Sequence, residues 1–327
     1  MKEAYYYEVK ENDWVQCHLC PHECTIKPGG IGRCRVRKNT GGKLFSLNYG
    51  EITGYAFDPI EKKPLYHFYP GRPIFSFGTF GCNFSCDFCQ NWHMAQANPN
   101  TQTVTIDQMM NTIVSSDENL GVAYTYNEPT IFYEFMFDLA KAVHEAGYKN
   151  VVVSNGFIMP EPLEALLPYV DAYNIDLKAF NDTFYKELCK GKRSPVMETI
   201  KRVHGKAHME ITLLLIDGEN TNIEELEEMF KWISDIDQDI PIHLSRYHPA
   251  NRMTNPPTEI QTLLTTQAIA KKYLNYVYLG NVFDMDDNTY CPHCGAEVIN
   301  RRGYNCKSML VGSKCHACSS KLSIIDE

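Results

Sequence analysis

Between residues 71 and 282 short apolar runs alternate with amphipathic stretches. "PIFSFGTFG" reads as a strand, followed by a helix near 105 to 116, a strand "GVAYTY" and a helix over 129 to 146. In that helix Phe135, Leu139, Val143 and Ala146 recur at steps of three and four, the spacing of one buried stripe. Pro129 suits its first turn and Gly147 its end. A strand "NVVVSN", a helix near 161 to 168, a strand "AYNIDLK" and helical segments through 183 to 205 come next. A strand "MEITLLLI", a helix near 222 to 234, a strand "PIHLSRY" and a helix near 257 to 273 complete the series. Six strands alternating with helices predict parallel β–α units joined by crossovers. Runs apolar on both faces fit a sheet covered by helices. The unit repeats often enough for a partial or complete barrel, with working residues expected at the C-terminal ends of strands.

The 13 cysteines change this picture. Most fall in tight groups, and they divide the chain into an N-terminal cysteine-rich extension (1–70), a core (71–282) and a tail (283–327). The N-terminus carries no basic stretch followed by an apolar core, and no signal peptide is expected. Close-set thiols in a protein without a secretion signal read as metal binding in a reducing, cytoplasmic setting. No apolar run approaches the length of a membrane span, so no membrane partner is expected. The formal net charge of −9 weighs against non-specific binding to nucleic acid.

Directly after the first expected core strand, "GTFGCNFSCDFCQNW" places Cys82, Cys86 and Cys89 in a C-x3-C-x2-C loop. Three thiolates can hold three irons of a [4Fe–4S] cubane and leave the fourth open. A catalytic zinc is the rival, though three cysteines without a histidine are an unusual set for it.

This loop, with Phe88 just before the third cysteine, resembles the signature of the radical S-adenosylmethionine (SAM) superfamily. "CQNW", "YTYNEPTI", "CHLCPHECTIKPGGIGRCRVR" and "YCPHCGAEVINRRGY" resemble one branch of it, the radical SAM enzyme of the AmmeMemoRadiSam system, related to pyruvate formate-lyase activating enzymes. The resemblance implies an α/β fold, a partial (βα)6-type TIM barrel, with SAM chelated to the open iron. It implies reductive cleavage of SAM to a 5′-deoxyadenosyl radical that abstracts hydrogen from a protein, peptide or small-molecule substrate, with an electron donor such as flavodoxin or ferredoxin.

By the same resemblance, Asn127 and Glu128 stand where relatives hold the SAM ammonium. Alternatively, Asn127 suits the cap of the following helix and Glu128 its dipole. Asn155 lies in a "VSNG" turn in which Val153 replaces an acid. Asp176 and Lys178 alternate along one strand face and are expected at the SAM ribose and carboxylate. His248 is expected beside adenosine, and Arg246 near an anionic substrate group. An activating enzyme for a glycyl-radical protein is the alternative within this class. An iron–sulfur electron carrier and a zinc-binding scaffold are the alternatives outside it.

In the tail, Cys291, Cys294, Cys315 and Cys318 match a four-cysteine zinc ribbon, a segment too small to fold on its own core. At the N-terminus, Cys17, Cys20, Cys24 and Cys34 form C-x2-C-x3-C-x9-C, open to zinc or an auxiliary cluster, with His18 and His22 as further ligand candidates. Cys189 reads as a core residue.

Overall fold

Eight strands form one sheet in a computed structural model that describes residues 1–283 and 285–326. They are β1 (Gly54–Pro59), β2 (Pro73–Gly78), β3 (Gly121–Tyr124), β4 (Lys149–Ser154), β5 (Ala172–Asp176), β6 (His208–Leu215), β7 (Ile242–Arg246) and β8 (Val277–Gly280). Each pairs with its neighbours in chain order, β1 antiparallel and the rest parallel. All six expected strands are present, and two are added. β8 is only four residues long. β1 carries its large apolar side chains, Tyr55 and Phe57, on the exposed face, so no buried alternation announces it.

Six helices cover the sheet: α1 (Ile106–Ile113), α2 (Tyr133–Glu145), α3 (Pro160–Leu166), α4 (Arg193–Val203), α5 (Ile223–Ile236) and α6 (Ile260–Ala270). The segment expected as one helix from 129 splits into a 3-10 turn (Pro129–Phe132) and α2. Phe135, Leu139 and Val143 are buried as expected, but Ala146 is the exposed C-cap, because the chain turns away at Gly147 (φ 81°). α1 begins at a capping box in which Gln108 N donates to Thr105 Oγ1 (3.2 Å) and Thr105 N to Gln108 Oε1 (2.9 Å).

The pleat of β6 divides the barrel interior. Glu210, Thr212 and Leu214 share one face; Thr212 and Leu214 line the cavity at the C-terminal end, while Glu210 lies deeper and is fully buried. Its carboxylate accepts from His243 Nε2 (2.6 Å), His208 Nε2 (3.0 Å) and His67 N (2.7 Å). His67 Nε2 in turn meets Tyr278 Oη (2.7 Å). The tail docks on this network. Three antiparallel strands (Thr289–Tyr290, Glu297–Arg302, Asn305–Ser308) set the Arg301 guanidinium 4.3 Å from the centre of the Tyr66 ring, donating to Tyr66 O (2.7 Å) and Thr289 Oγ1 (2.8 Å). Cys306, outside the four-cysteine set, donates to Glu61 Oε1 (2.9 Å). Among the described residues no helix is long and apolar enough to cross a membrane.

His67 is wholly buried, and burial holds its pKa down at about 3 against the pull of Glu210, with His208 and Arg301 lowering it further. The folded protein therefore binds fewer protons here than the unfolded chain once pH drops below about 6.5, and stability falls with pH. Melting temperature is expected to decline from pH 6.5 to 4.5, with a linkage of up to about 1.4 kcal/mol per pH unit. His67→Gln should flatten that slope.

Candidate functional site

The three-cysteine loop leaves the end of β2 through a backbone that other elements fix. Gly81 has φ 89°, and a Cβ there would lie 2.7 Å from Cys34 O and from Val36 Cγ1. Asn127 Oδ1 accepts from Thr79 N (3.0 Å), and its Nδ2 donates to Gly81 O (2.9 Å). Further along, Ser85 N donates to Cys189 O (3.2 Å), Asp87 N to Leu188 O (3.0 Å), and Asn251 Nδ2 to Cys86 O (3.0 Å). Phe84 and Phe88 point inward and anchor the loop by burial.

This loop roofs a cavity of about 380 Å³ at the C-terminal end of the barrel, within the size range of small-molecule sites. The cavity wall brings together Cys82, Cys86, Cys89, Asn127, Glu128, Asn155, Asp176 and Lys178, residues that the sequence reading singled out. Two others are not brought in. His248 is exposed beyond the end of β7, where its carbonyl oxygen accepts from Gln90 Nε2 (3.3 Å). Arg246 turns to Thr258, donating from Nε to its carbonyl (2.8 Å).

Glu128 is buried, and both of its oxygens are engaged: Oε1 accepts from Thr130 N (2.9 Å) and Ser154 Oγ (2.8 Å), Oε2 from Asn155 N (2.8 Å). The cap is therefore Glu128 and not the expected Asn127, whose side chain is held by the cysteine loop, and the contacts of Glu128 extend across to the end of β4. Asn155 is held in turn so that its Nδ2 donates to Asn83 Oδ1 (2.8 Å) and lies 3.8 Å from Cys82 Sγ. Phe84 N also donates to that sulfur (3.3 Å). Lys178 Nζ meets Asp176 Oδ2 at 2.8 Å. Burial opposes the lysine's charge, but Asp176 and Cys86 outweigh it and hold its pKa well above the usual lysine value.

The thiols respond to the same surroundings. Burial, Glu128 and Cys86 push Cys82 well up, while burial pushes Cys89 up to about 11. Cys86 is lowered, chiefly by a hydrogen bond from the Cys189 thiol, which with Lys178 outweighs burial. The donor set suits an iron–sulfur cluster: three thiols face one cavity, two N–H groups approach one sulfur, and no fourth thiol lines the wall.

Sequence reasoning missed a second polar group on this wall. Lys63, almost wholly buried, donates to Asp58 Oδ2 (2.8 Å), which also accepts from Tyr126 Oη (2.8 Å). The Lys63 ammonium sits 4.8 Å from the Tyr126 ring centre, and Tyr126 is held at φ 69°, a conformation non-glycine residues rarely take. Asp58 lies in β1, five residues before Lys63, and the distant Tyr126 joins the pair only through the folding of that edge strand onto the sheet.

The tail thiols form a different kind of set. Cys291 and Cys318 lie 3.7 Å apart, as do Cys294 and Cys315, and all four sulfurs are within 4.8 Å of one another. That spacing fits a single tetrahedral ion with metal–sulfur bonds of about 2.3 Å.

Replacing Glu128 by Gln would point an NH2 group at donors. We expect a loss of about 1–3 kcal/mol in protein carrying neither cluster nor SAM, read by denaturant unfolding. Gly81→Ala should lower the iron retained after anaerobic reconstitution, because the added methyl meets backbone rather than a flexible side chain.

Comparison with known proteins agrees with the geometry. The family described as the radical SAM superfamily matches residues 77–233. An uncharacterised protein of Methanocaldococcus jannaschii is 40% identical over 99% of this chain and 100% of its own length. The 7-carboxy-7-deazaguanine synthase of the same organism is 25% identical over 51% of this chain and 73% of its own. Among solved structures, a radical SAM methyltransferase from Sphaerobacter thermophilus shares the fold with TM-score 0.52 and 18% identity, over 65% of this chain and 67% of that one. A cysteine loop at the end of the first parallel strand, a polar cavity beneath it and a relative matching along the whole chain lead to one conclusion: the chain belongs to the radical SAM superfamily.

Proposed function

We propose that Cys82, Cys86 and Cys89 hold a [4Fe–4S] cluster and that SAM occupies the cavity beside it. Bound there, the pair supplies one-electron cleavage of the sulfonium to methionine and a 5′-deoxyadenosyl radical, which takes a hydrogen atom from the substrate. The observation that carries this reading is the opening of three thiols onto one cavity of about 380 Å³. An electron carrier has no use for such a cavity, and a zinc scaffold has no use for three thiols facing it. The electron comes from a reduced protein donor of the flavodoxin or ferredoxin kind.

The chain's own groups then have distinct tasks. Lys178, kept charged by Asp176, faces the SAM carboxylate. Thr212, Ser245 and Asn281 offer hydroxyl and amide groups to the nucleoside or the substrate. Glu128 and Asn127 act by positioning, since their hydrogen-bonding groups are already taken by strand ends and loop backbone. Asn155 directs an N–H at Cys82 and favours its thiolate. The tail thiols hold a structural zinc that keeps Arg301 seated on Tyr66.

Reduced, anoxic protein should convert SAM to 5′-deoxyadenosine, and Cys86→Ala should fall to background; equal yields from both would refute the assignment. Lys178→Met should weaken SAM binding about 10- to 100-fold, the loss of one charge-assisted hydrogen bond of about 1.5–3 kcal/mol. Stripping the tail metal with a chelator should expose residues near 286–326 to protease while the barrel resists. Cleavage in the barrel first would count against a stapling role.

A further inference from the structure

The three-cysteine loop has a solvent side as well as a cavity side, and three segments distant in sequence frame it there. Gly81 packs on Cys34 O, so residues 33–35 flank the start of the loop. Ser85 N and Asp87 N donate to the carbonyls of Cys189 and Leu188, and Gly191 lies so close to Phe84 that a Cβ would overlap the ring. Residues 188–192 therefore run along the middle of the loop. From a third direction Arg252 N donates to Asp87 O (2.9 Å).

Each of these segments brings cations. Arg33, Arg35, Lys192 and Arg252 are exposed, Lys190 is half-buried, and none of the five lines the cavity. Arg252 Nη1 donates to Asp87 Oδ1 (3.0 Å), while Lys190 Nζ lies 3.6 Å from Asp87 Oδ2. One carboxylate is thus shared by two cations. Among the described residues Arg33, Arg35 and Lys192 have no ion-pair partner at all. The ring keeps a clear positive excess on a chain whose formal net charge is −9. Crowding like charges works against folding, and it is what the steering of an oppositely charged partner requires.

The ring also holds an aromatic group suited to an interface. Trp92, 45% exposed, stands in the helical turn Trp92–Ala95, which Arg35 grips by donating from Nη2 to Ala95 O (2.6 Å). Tryptophan and arginine are the residue types that most often anchor protein interfaces. SAM and substrate belong to the cavity, on the other side of the loop. The partner of the ring is therefore one that approaches the cluster without entering the cavity, and that is the task of an electron carrier.

We propose that Arg33, Arg35, Lys190, Lys192 and Arg252, with Trp92, form the docking surface for an acidic one-electron carrier protein, which reduces the cluster through the loop. This rests on the cluster reading given above. The carrier is oxidised by one electron and the cluster reduced by one, with no bond made or broken.

The test follows cluster reduction itself, by loss of visible absorbance in anoxic stopped flow without SAM. Two reductants are compared: reduced flavodoxin, an acidic protein, and the methyl viologen radical, a small cation. Arg33→Glu/Lys192→Glu alters two exposed side chains and should slow reduction by flavodoxin about 10-fold or more at low salt. The gap should close toward 1 M salt, where charges are screened beyond about 3 Å. Methyl viologen should reduce the variant no more slowly than the parent. Equal flavodoxin rates for parent and variant overturn the proposal, and so does an equal slowing with both reductants in this variant and in Lys192→Glu alone. An unchanged flavodoxin rate with weakened binding of a single-stranded RNA oligonucleotide would overturn it in favour of nucleic acid. A chain that loads no cluster, by contrast, refutes the cluster reading and is recognised before any reductant is added.

Discussion

A single buried carboxylate holds the working end of this barrel together. Glu128 accepts from a backbone N–H in the next turn and, across the sheet, from the hydroxyl and backbone N–H at the end of β4. Burial raises its pKa, and these hydrogen bonds oppose that rise, so the group and its donors need one another. Through Asn155 the same linkage reaches Asn83 and the sulfur of Cys82. The ends of neighbouring strands are thereby tied into one fixed rim around the cavity.

The opposite end of the barrel is closed by a different device. Glu210, His67, His208, His243 and Tyr278 fill the interior with a hydrogen-bonded plug, and the tail seals it through Arg301. Few apolar contacts hold the tail itself. Its core is six buried residues, two of them the cysteines Cys291 and Cys315. Under the proposed structural zinc, a metal would supply the stability that so small a core lacks.

Three cysteine groups in one chain differ in geometry. The tail sulfurs lie within 4.8 Å of one another, the N-terminal four line a space of about 10 Å³, and the loop three face a cavity of about 380 Å³. The N-terminal extension also braces helix α2: Arg37 pairs with the buried Glu134, and Lys2 and Tyr49 both meet Asp138 of the same helix.

Sequence alone determined the six alternating β–α units, the three thiol groups and part of the cavity wall. Period and spacing are local properties, written in consecutive residues, so Cys82, Cys86, Cys89, Asp176 and Lys178 could be placed at strand ends without coordinates. The tertiary structure decided what depends on distant segments meeting. It recruited Asp58 from an edge strand whose aromatic residues face solvent, and set it against Lys63 and Tyr126. It left His248 outside the cavity, because the chain after β7 turns outward. It also gave Glu128 its partners at the end of another strand and brought the four tail sulfurs within 4.8 Å of one another. Hydrogen-bond satisfaction and sulfur spacing are properties of three-dimensional closure, and no linear pattern encodes them.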